Sequence, residues 1–143
     1  TKKFRCFLSH HKVGMAAGAR LLKMKLELRL QGNMFLDSDA LENLDGLLQT
    51  VCQDVDCFVL LLTDQTLWRP WCAGEIAMAV SNGVPMVCVA CDGYSDPPLE
   101  DLTPNALKQR WTAEDFAPIA LQGVTWEKLS EAYHVVRDLP RFT

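Results

Sequence analysis

The stretch CFVLLLTDQTLWRPWCAGEI, residues 57–76, opens with a run that is apolar at every position from Cys57 to Leu62, turns polar at Thr63-Asp64-Gln65, and meets a proline at position 70. A strand with one wet face alternates apolar and polar residues, whereas a strand buried on both faces reads as a continuous apolar run, the habit of parallel sheets. Pro70 suits the first position of a helix, where its missing N–H is not needed. The stretch therefore predicts a buried strand, a short polar connection and an apolar helix. That helix carries Trp71, Cys72 and Glu75 in its opening turns. Glu75 is the residue that asks for an explanation, because a carboxylate is an unusual component of an apolar helix.

Working outward, four further apolar runs of strand length appear: FRCFLS (4–9), NMFLD (33–37), VPMVCVA (84–90) and a weaker PIALQGVTW (118–126). Helical patterns fill the intervals, so the chain reads as a doubly wound α/β domain, a parallel sheet with helices on both faces. LKMKLELRL (22–30) alternates with period two and imitates a strand. It contains no β-branched residue, however, and Met15, Ala19, Leu22, Leu26 and Leu30 share one helical stripe, which predicts a helix over 14–31 stopped by Gly32. A second helix opens at Asp39 with Glu42 three residues on, the pattern of a capping box, and buries Leu41, Leu44, Leu48 and Val51. Helical stretches are expected around 104–110 and over 127–138, the latter burying Leu129, Ala132, Tyr133 and Val136, with a long polar loop at 92–104.

The 143 residues, 49% of them apolar, suffice for one core, so residues 1–143 are read as one domain, excised from a longer chain since it begins Thr1-Lys2-Lys3. The net charge of −4 argues against nucleic-acid or membrane-surface binding, which needs a basic field. No apolar run approaches the roughly 20 residues that a membrane-crossing helix needs. The six cysteines lie mostly within apolar runs, where Cys acts as a small buried residue, and a reduced intracellular compartment is expected. Cys88 to Cys91, a single C-x-x-C without a second pair, reads as a strand end and not as a metal site.

Ligands of open parallel sheets bind beyond the carboxyl ends of the strands. Those ends here are Ser9-His10-His11-Lys12, Asp37-Ser38-Asp39, Thr63-Asp64 and Asp92, a polar rim of mixed charge. Trp71 and Glu75, at i and i+4, share a helix face bordered by Cys72, and an aromatic wall beside a carboxylate suits a sugar or a flat heterocycle. Residue pattern alone leaves a plainer alternative open: Trp71 and Cys72 as core, and Glu75 as a carboxylate favoured by the helix dipole. His10 and His11 lack a third ligand at metal spacing. A phospho-acceptor receiver domain would need an acidic pair after the first strand, and a nucleotide-binding fold a Gly-rich first turn; HHKVGMAAG supplies neither.

CFLSHHK (6–12), NMFLDSDAL (33–41), CFVLLLTDQTLWRPWCAGEI (57–76), GVPMVCVA (83–90) and GVTWEKL (123–129) together resemble a Toll/interleukin-1 receptor (TIR) domain over nearly the whole chain, the W-C-x-x-E at 71–75 being the most specific piece. The resemblance implies a flavodoxin-like, five-stranded parallel sheet in the order 2-1-3-4-5. It implies two functional possibilities. One is an NAD-cleaving enzyme of immunity or cell death, releasing nicotinamide and ADP-ribose or a cyclic isomer; the other is a non-enzymatic adaptor acting by self-association. Under the first, Glu75 falls on the catalytic glutamate, and Ser9, His10, His11, Lys12, Asp37, Asp39, Trp71 and Cys72 are the expected substrate contacts. The resemblance implies no metal and no cofactor beyond NAD as substrate, other TIR domains as partners, and a cytoplasmic location.

Overall fold

The computed structural model describes residues 4–9, 34–36, 55–91 and 93–142. Its centre is β3, Val55–Leu62, where Phe58, Leu60 and Leu62 on one side and Val59 and Leu61 on the other are all buried. Burial of both faces is the physical reason the run lacks alternation. β1 (Phe4–Ser9) and β4 (Met86–Ala90) flank β3, and β2 (Met34–Leu36) and β5 (Arg141–Phe142) form the edges. Every pairing is parallel, and the order is β2-β1-β3-β4-β5. The register sets Phe7 opposite Phe58, Leu60 opposite Cys88 and Cys88 opposite Arg141.

The fifth strand lies elsewhere than PIALQGVTW. Residues 118–126 hold the end of a helix, a turn through Gly123 at φ +89°, and the start of another helix, while the sheet closes with the two residues of β5. Short apolar runs serve helix and strand equally, and here the local capping chemistry decides. Thr112 caps the helix Ala113–Ala120 by accepting from the Asp115 N–H at 3.0 Å, and Glu114 and Asp115 sit in its first turn. Thr103 and Thr125 cap their helices in the same way, at 3.2 and 3.1 Å. Such caps satisfy amides that the helix itself leaves unbonded.

Four α-helices are described: α1 (Pro70–Ser81), α2 (Pro104–Lys108), α3 (Ala113–Ala120) and α4 (Trp126–Asp138). Pro70 stands in the first turn of α1 as its sequence requires. α1 ends in a Schellman turn: Gly83 at φ +68° donates to the Val80 carbonyl and Val84 to that of Ala79, at 3.1 and 3.0 Å. α4 buries Leu129, Ala132, Tyr133 and Val136 against α1 and the Phe58, Leu60 and Leu62 face of β3. Gly74 lets α1 approach α3 closely, since a β-carbon there would stand 3.3 Å from Cγ1 of Ile119. The polar segment 93–104 is partly structured, with a 3-10 turn at Leu99–Leu102 that sinks Leu102 into the core.

The expected helices over 14–31 and from Asp39 lie outside the described residues, so the second helical layer of a doubly wound sheet is outside them too. No helix among the described residues is long and apolar enough to cross a membrane.

Candidate functional site

The connection from β3 to α1 is fixed from several sides before it delivers Trp71, Cys72 and Glu75. Thr66, wholly buried, donates its hydroxyl to the Leu61 carbonyl at 2.8 Å and accepts from the Thr63 N–H at 2.9 Å. The next two carbonyls are held by side chains from distant helices and loops. Tyr133 on α4 donates its hydroxyl to the Leu67 carbonyl, and Trp111 Nε1 donates to the Trp68 carbonyl at 2.7 Å. Complete burial pushes the Tyr133 phenol well above its ordinary pKa, so it remains a donor across the physiological range.

An aromatic cluster surrounds this anchor. Trp68 meets the Tyr133 ring edge-on at 6.3 Å, Phe116 stacks on Trp126 at 3.8 Å, and Trp126 on Trp111 at 5.9 Å. The Arg110 guanidinium lies 3.8 Å above the Trp68 ring, a cation–π contact. The loop that positions α1 is thereby tied to α3 and α4, at sequence separations that leave no local signal.

On α1 the candidate residues fall into different surroundings. Cys72 is buried at 2% exposure, Trp71 is 40% exposed, and Glu75 is 0% exposed. Trp71 lines a shallow groove with Pro70, Asp115, Pro118 and Ile119 between the start of α1 and α3. Its empty volume is about 230 Å³, below the roughly 300–1,000 Å³ of typical ligand pockets. Glu75 is the sixth residue of α1, and the first turn carries no acidic residue. Dipole stabilisation fades beyond that turn, so it does not account for Glu75.

Ser9 ends β1, in register with Leu60, at the carboxyl edge of the sheet from which α1 also departs. His10, His11, Lys12, Asp37 and Asp39 lie outside the described residues. Cys88 is buried on β4 and Cys91 follows the strand's end; both carry thiols, and burial pushes that of Cys88 up. No group of three or more His, Cys, Asp or Glu is gathered as for a metal ion among the described residues.

A second polar cluster, absent from the sequence reading, secures β5. Arg141 bonds Asp96 at 2.7 Å and donates to the carbonyls of Val136 and Leu139 at 2.5 and 3.0 Å, while Tyr94 donates to Asp96 at 2.9 Å. Burial alone would raise the Asp96 pKa, but the hydrogen bonds from Arg141 and Tyr94 outweigh it and hold the carboxyl below its usual range.

No protein-family model and no curated protein sequence matches the chain. Solved structures do match. The TIR domains of the activated Roq1 resistosome, which recognises the pathogen effector XopQ, superpose over 92% of this chain and 84% of that one, with a TM-score of 0.57 at 12% identity. A TIR-STING receptor from C. gigas superposes over 92% of this chain and 40% of that one, at 0.54 and 17%. The fold is that of a TIR domain. At these identities the likeness is one of architecture alone.

Proposed function

We propose that this TIR-fold domain cleaves NAD at the nicotinamide–ribose bond, with Glu75 as the catalytic carboxylate. The observation that carries the reading is the complete burial of Glu75 beyond the first turn of α1. Sequestering a carboxylate from water is costly, and strengthening its field on a developing cation is what that cost can serve. Nicotinamide leaves a cationic ring as a neutral molecule, so no second carboxyl is needed as general acid. The C–N bond breaks with its electron pair passing to the pyridinium ring. Water, or the adenine of the same NAD, attacks the anomeric carbon, and ADP-ribose or a cyclic isomer forms; when water attacks, it releases one proton.

Glu75 binds the ribose hydroxyls and stabilises the oxocarbenium-like transition state. Trp71 and Cys72 border the ribose, and Ser9, His10, His11, Lys12, Asp37 and Asp39 supply the remaining contacts, Lys12 as the cation for phosphate. We assign the completion of the substrate site around Glu75 to homotypic assembly of TIR domains in the cytoplasm.

The second reading, a non-enzymatic adaptor acting by self-association in immune signalling, is favoured by the exposed Trp71 beside its shallow groove. Incubating the purified protein with NAD at high protein concentration and quantifying nicotinamide and ADP-ribose products separates the two. Nicotinamide release supports the enzyme; no release from any assembled state leaves the adaptor.

A further inference from the structure

Trp71 differs from the other three tryptophans of the chain. Trp68, Trp111 and Trp126 share ring contacts, and the Arg110 guanidinium lies on the Trp68 face. The indole of Trp71 is 40% exposed and has no ring or cation partner among the described residues. The groove it lines has apolar walls in Pro70, Pro118 and Ile119 and a single charge, Asp115. No ion pair or side-chain hydrogen bond among the described residues engages that carboxylate; the bond from Asp115 to Thr112 uses its backbone N–H. An uncommitted indole beside an uncommitted carboxylate suits a long cationic side chain, whose apolar stem and charged head the ring attracts and whose charge the carboxylate balances.

The sequence gathers such side chains in one block. Residues 1–32 hold eight of the fourteen lysines and arginines and one of the eighteen acidic residues, Glu27, so this segment carries +7 and the rest of the chain −11. We propose that the groove at Trp71 is a docking site for the basic segment 1–32 of a second copy of the chain, with one of its lysines on the Trp71 ring and paired with Asp115. The inference rests on the homotypic assembly invoked above and names the surfaces that meet. Groove and basic segment are different parts of the chain, so the contact is heterologous: each copy offers both, and copies add head to tail. Opposite charge steers the encounter and orients the partners, and it weakens as salt screens it.

The test mixes equal amounts of unlabelled and nitrogen-15-labelled protein at a concentration where sedimentation shows assembly, joins contacting carboxylates and amines with a water-soluble carbodiimide, and maps the linked peptides. The expected product is an amide between Asp115 and one of Lys2, Lys3, Lys12, Lys23 and Lys25 that pairs an unlabelled peptide with a labelled one, and it is lost in about 0.5 M NaCl. Asp115→Lys is expected to lower the association constant about tenfold or more with the circular dichroism of the domain unchanged. Links from Asp115 to these lysines found only within one chain overturn the proposal. So do mixed links confined to other carboxylates, or an Asp115→Lys variant that associates as wild type does. Those outcomes leave homotypic assembly standing on another surface, whereas protein that stays monomeric at every concentration removes both. Because wild-type protein alone gives the linkage map, a variant that fails to fold does not blunt the test.

Discussion

Tyr133→Phe removes one oxygen atom from a site that water cannot reach. The phenol is buried, its hydroxyl donates to the Leu67 carbonyl, and Leu67 is itself buried. A hydrogen bond whose loss exposes its partner to solvent costs little, but one that leaves a carbonyl buried without that donor costs about 1–3 kcal/mol. For a domain of this size each kcal/mol moves the midpoint by roughly 3–4 °C, so Tm should fall by about 3–12 °C. A second effect follows from the raised pKa. The unfolded chain ionises its tyrosines near pH 10 while folded Tyr133 stays protonated, so the native state binds more protons above that pH and stability falls as pH rises. Tyr94, also raised by burial and by Asp96, adds to the same alkaline slope. Thermal and urea unfolding of wild type and Tyr133→Phe at neutral pH and above pH 10 measure both effects. A variant with the wild-type midpoint and an undiminished alkaline slope would refute the assignment of Tyr133 as the buried anchor of the β3–α1 connection.

Glu75→Gln should lower nicotinamide release by about 10²-fold, because the amide keeps the shape and loses the charge that stabilises the ribosyl cation; a loss of about 3–5 kcal/mol in stability with release unchanged would instead mark Glu75 as half of a structural ion pair. Specific activity should climb with protein concentration as assembly completes the site, and flat turnover across a dilution series of strictly monomeric protein would count against it. Asp96→Asn should loosen β5, read as faster amide exchange at Arg141 and Phe142. Since the Asp96 pKa is lowered, its contribution is present above the usual carboxylate range and lost as pH falls below about 4, so the variant should be less sensitive to acid. Gly74→Val should destabilise the domain by about 1–3 kcal/mol, because its branched side chain meets Ile119 where even a β-carbon is tight, and Ile119→Ala in the same chain should recover part of that loss in urea unfolding.

What could be read from the sequence was what local chemistry decides. The unbroken apolar run at 57–62 gave β3, Pro70 gave the start of α1, and the spacing of Leu129, Ala132, Tyr133 and Val136 gave the buried face of α4. α3 escaped because the apolar run 118–126 imitates a short strand, although Thr112 followed by Glu114 and Asp115 carries the signature of a helix start. At the site, the order Trp71, Cys72, Glu75 was legible but their surroundings were not. α1 is apolar on nearly every side and rich in small residues, so periodicity gave no sign that Glu75 is enclosed while Trp71 stays partly in water. The anchors Tyr133 and Trp111, and the Arg141–Asp96 pair, depend on residues brought together from far along the chain, which no local pattern encodes.

The position of β5 has a consequence for the order in which the molecule assembles. β4 waits for its outer partner until α2, α3 and α4 have all been made, and the pairing consists of only two rungs. Closing so long a loop for so few ladder bonds is entropically poor, whereas the threonine-capped helices are local and quick to form. The outer edge of the sheet is thus the last element to be gained and the first to be lost, a separate cooperative unit of low opening energy, and the side-chain clasp of Arg141 on Asp96 makes up for the main-chain bonds that two residues cannot provide.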